Sequence, residues 1–64
     1  MNLFVKFSLA ASNAEKAEQY QNAAEHWNKA ALVAQKLDNR EWAIKRREFC
    51  IMRCKYKYLD INLL

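Results

Sequence analysis

The 64-residue sequence contains no glycine and no proline. Those two absences exclude glycine-rich phosphate loops and tight glycine hairpins. Strand-rich folds need such turns, whereas helix interiors exclude both residues. Ala, Leu, Glu, Lys, Gln and Arg dominate instead, and the composition reads as all-α. Length excludes more. A chain this short buries only ~60% of the surface it exposes when unfolded. It has no room for a cofactor-binding domain beside a catalytic one, so residues 1–64 read as a single helical domain. There is one histidine, no nucleophile with a placed base, and no pair of carboxylates in an apolar setting. No enzyme and no cofactor are expected.

Cysteine is scarce as well. Cys50 and Cys54 stand four apart, on one face of a helix and poorly placed for a mutual disulfide. They read as small buried hydrophobes in a reducing cytoplasm. A metal site needs three or four ligands and only His26 is left to help, so none is expected. The run Leu3, Phe4, Val5, Phe7, Leu9, Ala10, Ala11 carries Lys6 and falls well short of the ~20 apolar residues of a membrane span. It lacks a signal-peptide cleavage pattern and a strongly cationic polar face. The expectation is a soluble, cytoplasmic protein with no membrane partner.

Charge is unevenly placed. Residues 1–38 hold Lys6, Lys16, Lys29 and Lys36 against Glu15, Glu18, Glu25 and Asp38. Residues 39–64 hold Arg40, Lys45, Arg46, Arg47, Arg53, Lys55 and Lys57 against Glu41, Glu48 and Asp60, and so carry all of the net +4. A solvated helix face explains this most simply, but the asymmetry also raises the prospect of an acidic or nucleic-acid partner.

Apolar spacing divides the chain into helices. Leu3, Phe7, Ala10, Ala14 and Ala17 form one stripe, widened by Phe4 and Ala11, with Val5 and Leu9 on the opposite side. Tyr20, Ala23, Ala24, Trp27, Ala30, Ala31, Ala34 and Leu37 form a second, whose alanines let a neighbouring backbone approach closely. The first turn is placed near Glu18 to Gln21, its rival being one unbroken helix from residue 3 to 37. Asp38 and Glu41 fit a capping box, so a third helix is expected from about Asn39 to the high fifties. Ser12 and Glu15 match the same pattern inside a continuous stripe and are discounted.

The third helix is the most informative. Trp42, Phe49, Met52, Tyr56 and Leu59 occupy one side; Ala43, Cys50, Cys54, then Ile44, Ile51 and Tyr58 occupy another. A basic row of Arg46, Arg53 and Lys57 runs between them. One apolar face suffices to pack this helix on a hairpin of two others. A second is surplus, and surplus apolar surface marks an interface. The expected partner-binding surface is Ile44, Ile51, Cys54 and Tyr58, helped by Val5 and Leu9.

Tyr20, Ala23, Trp27 and Ala30 resemble the second helix of a tetratricopeptide unit. The expected architecture is therefore a three-helix hairpin-plus-lid, a single tetratricopeptide-like unit with a long C-terminal helix. A longer ordered set is more specific: Ala10-Ala11, Glu15, Tyr20, Ala23-Ala24, Trp27, Ala30, Ala34, Asn39, Trp42-Ala43, Arg46 and Phe49-Cys50. It resembles the AraC-negative-regulator family of enteric bacteria and their phages and plasmids, which shares features with PerC-type regulators. One departure stands out. Members typically carry a glycine two residues before the tyrosine, where this chain has Glu18.

That resemblance implies a cytoplasmic, non-enzymatic regulator of virulence genes. Such a regulator binds an AraC/XylS-type activator and blocks its dimerisation or promoter occupancy. A homodimer on part of the same surface is expected too. The alternative is direct DNA binding through the basic third helix, as suggested for PerC-type relatives. Against it, Glu41 and Glu48 interrupt the cations, and no helix-turn-helix with a polar recognition helix is evident.

Overall fold

A computed structural model describes the backbone of residues 2–63 and the side chains of residues 2–56. It consists of three helices, α1 (Leu3–Lys16), α2 (Tyr20–Val33) and α3 (Leu37–Leu63). Asn2 starts α1 as a side-chain cap: its Oδ1 accepts the Val5 N–H at 2.8 Å.

The α1–α2 turn lies between Lys16 and Tyr20, overlapping the expected Glu18 to Gln21 and ruling out the unbroken helix from residue 3 to 37. Glu18 N–H donates to the Glu15 carbonyl at 2.9 Å, and Gln19 N–H donates to the Ala14 carbonyl at 2.8 Å. These two bonds define a Schellman ending, which needs a left-handed residue at its centre. That residue is Glu18, with φ 59°. The turn forms without glycine by accepting a side chain in a costly conformation.

The second break lies earlier than Asp38–Asn39. Ala34 ends α2 in an extended conformation, and α3 begins at Leu37. Arg40 Nη2 reaches back 3.3 Å to the Ala34 carbonyl, and Arg40 N–H donates to the Lys36 carbonyl. Asp38 thus sits inside the first turn, where its charge favours the helix dipole, and the expected capping box with Glu41 does not form.

Helix α2 lies in the middle, with α1 and α3 each packed on it. The core is Ala11, Ala23, Trp27, Ala30, Ala31, Ala43 and Cys50, with Phe4, Phe7, Ala14, Tyr20, Ala24 and Ile44 packed around it. The α1 stripe centres on Phe4, Phe7 and Ala11, while Leu3 is exposed; Leu37 does not continue the α2 stripe and is exposed too. The molecule measures 43 × 19 × 12 Å. Its thinnest dimension is about one helix diameter, so no layer covers the outer sides of α1 and α3.

The face of α3 is the main correction. Ala43 and Cys50 are fully buried on α2, and Ile44, Ile51 and Cys54 lie half-buried beside them. Trp42, Phe49, Met52 and Tyr56 point outward, 40–54% exposed. The alanine stripe of α2 is the cause. Close approach there leaves room for small side chains, and Trp27 fills what remains. A face of Trp, Phe and Met would force the helices apart and forfeit those contacts.

Candidate functional site

Glu15 joins all three helices. Its carboxylate accepts the Trp27 indole N–H from α2 at 2.6 Å. From α3 it accepts Arg46 Nε at 2.9 and 3.0 Å, and Arg46 Nη2 as well. Such a fork-to-fork pair is the strongest geometry open to an arginine and a carboxylate. Burial alone raises the Glu15 pKa, but the Arg46 and Trp27 hydrogen bonds and the Arg46 charge prevail and hold it below its ordinary value. The hydrogen bond to Glu15 in turn holds Arg46 more firmly protonated. Beneath them lies Cys50, whose thiol is pushed up to about 11, first by burial and then by the Glu15 charge. A thiol so disfavoured as thiolate is a packing group and not a nucleophile. Both cysteines are free.

The outer side of this hub is aromatic. The Arg46 guanidinium lies 4.3 Å from the Phe49 ring centre, and Trp42 meets the buried Trp27 edge-on at 4.8 Å. Ser12 and Lys16 of α1 line the groove beside them. From that groove the exposed row Trp42, Phe49, Met52 and Tyr56 runs along α3.

The expected site residues separate. Val5 and Leu9 are exposed on the outer side of α1, 40% and 52%. Ile44, Ile51 and Cys54 turn toward α2 instead; Ile51 borders a groove with Ala24, Asn28 and Arg47, and Cys54 lies against the α1–α2 turn. Of the basic row, Arg46 is tied to Glu15 and Arg53 lies 5.4 Å from the Tyr20 ring. The side chains of Lys57 and Tyr58 lie outside the described residues. Arg47 is committed as well, to Asn28 Oδ1 at 2.7 Å and Glu48 Oε1 at 2.9 Å. The row is not one cationic surface. The Glu15–Arg46 pair escaped the spacing analysis because its partners are far apart in sequence; their joint presence in the family-like pattern is the signal that could have found it.

Among the described residues no group of His, Cys, Asp or Glu is placed to hold a metal ion, and no helix is long and apolar enough to cross a membrane. Clamped helices with bulky apolar side chains left outside define a small all-α module. The chain belongs to the PerC transcriptional activator family, whose model matches residues 6–62. The family is described as one of transcriptional activators. A similar protein is the putative uncharacterized protein in the Mu-like prophage FluMu region of Haemophilus influenzae. It is 41% identical over 49 residues, which span 77% of this chain and 66% of the relative, just under two thirds. No solved structure matches the chain.

Proposed function

We propose that this chain regulates transcription by docking on a protein, an activator of the AraC/XylS type, through apolar surface left outside its helices. The observation that carries this reading is the outward exposure of Val5 and Leu9 on α1. Family membership supplies the regulatory role; the AraC/XylS partner comes from the likeness to AraC negative regulators. Docking would cover the activator's own dimer surface or keep it from its promoter, lowering expression of its target genes. Direct DNA binding is the weaker reading because Arg47 is engaged with Asn28 and Glu48, and Glu41 and Glu48 interrupt the cations of α3.

The test is co-expression with AraC/XylS-type activators, capture of the complex and a promoter reporter. The wild-type chain is expected to capture an activator and lower the reporter. A Val5→Asp, Leu9→Asp double variant is expected to lose both effects while keeping its helical circular dichroism. Sequence-selective binding of promoter DNA by the isolated chain, without activator capture, would replace this reading with the DNA-binding one.

A further inference from the structure

We propose that two copies of this chain pair in parallel along the outward side of α3, as a short two-stranded coiled coil. The spacing is the first ground. Trp42, Lys45, Phe49, Met52 and Tyr56 follow one another at alternating steps of three and four, and the sequence continues the pattern at Leu59. That alternation is the seam of a coiled coil. Apart from the edge of Trp42 that meets Trp27, the side of α3 that carries it lies opposite Ala43 and Cys50, which are buried on α2. The seam is therefore open to a helix of another molecule.

Charge names the occupant and its direction. Glu41, Glu48 and Lys55 flank the seam on one side; Arg46, Arg53 and, in sequence, Asp60 flank it on the other. In a parallel, in-register pair the first flank of one copy faces the second flank of the other. Glu41 then meets Arg46 of the copy, and Glu48 meets Arg53. Both pairings join opposite charges. An antiparallel pair sets each flank against itself, so an arginine faces an arginine in each workable register. The side chains needed are within reach: Arg46 keeps 41% of its side chain exposed beside Glu15, and Glu48 is held only by its surface contact with Arg47, an interaction worth little. Lys45 is the one polar member of the seam; its stem lies along the interface with the ammonium in water. Val5 and Leu9 stay outside this pairing, so it stands or falls apart from the activator contact.

The mass of the full chain by sedimentation equilibrium is the test. A dimer is expected, with Met52→Asp monomeric and still helical, and Val5→Asp, Leu9→Asp still dimeric. Lys45→Leu is expected to tighten the dimer and raise its thermal midpoint, a gain that misfolding cannot imitate. Orientation is read with Met52→Cys in a Cys54→Ser background, which is expected to oxidise to a cross-linked dimer because the two seam positions are neighbours only in the parallel arrangement. A monomeric wild type at high micromolar concentration overturns the pairing, as does a dimer indifferent to both Met52→Asp and Lys45→Leu. A dimer that does not cross-link overturns the parallel direction.

Discussion

Glu15 shows how one residue can decide a fold this thin. Among the described residues it is the only α1 side chain bonded to both α2 and α3, and it is 12% exposed. Glu15→Gln weakens the Arg46 fork and is expected to lower stability by about 2 kcal/mol at neutral pH, read by urea denaturation. Because its folded pKa lies below its ordinary value of 4.5, the stabilisation is present above that pH. It disappears as pH falls through the lowered folded value. The gap between wild type and Glu15→Gln is therefore expected to narrow in acid. Cys50 acts at the other end of the scale. Its folded pKa of about 11 exceeds the ordinary 9.0, so its contribution is intact below pH 9.0 and lost as pH rises through about 11. Cys50→Ala is expected to remove that part of the alkaline loss, seen as a flatter urea midpoint over the same range. The burial of Cys50 was legible in the sequence, whereas the role of Glu15 was not. A carboxylate on an alanine-rich stripe looks like a solvated edge until its arginine is folded onto it.

At the scale of the elements, the turns and the small-residue stripe were readable and the face of α3 was not. Ala23, Trp27 and Ala30 announce a buried side of α2 at helical spacing, and the structure buries all three. The turn near Glu18 was expected without a glycine to mark it, and it forms between Lys16 and Tyr20. Helix α3 carries two apolar sides, and hydrophobicity alone favours the bulkier. Close packing on alanine reverses that order and selects Ala43 and Cys50. The second break was misplaced because Asp38 and Glu41 imitate a capping box, whereas the Arg40-to-Ala34 bond closes the turn earlier. Glu18 offers a direct check on this level. Its φ of 59° is costly for a residue with a Cβ, so Glu18→Gly is expected to raise stability by about 1 kcal/mol, observed as a higher thermal midpoint. A fall in the midpoint would show that the turn is not left-handed there.

The whole molecule is a thin assembly held by an alanine interface, one ion pair and one buried tryptophan. Such a body hides small side chains and leaves Trp42, Phe49, Met52, Tyr56, Val5 and Leu9 outside. That distribution makes it a poor candidate for chemistry on a small molecule and a good one for contact with protein. Net charge of +4 gives it an attraction to acidic partners at long range, which affects encounter rate more than affinity. Apolar docking and phosphate binding differ sharply in their response to salt. Contacts to phosphate lose affinity steeply as salt rises, whereas burial of apolar surface does not depend on counterion release. The most direct measurement is therefore the affinity of the purified chain for an AraC/XylS-type activator and for its promoter DNA, each followed across a range of salt. The account predicts activator binding that changes little with salt and only weak, salt-sensitive association with DNA. Tight, sequence-selective DNA binding that collapses with added salt, with no binding to the activator, would contradict it.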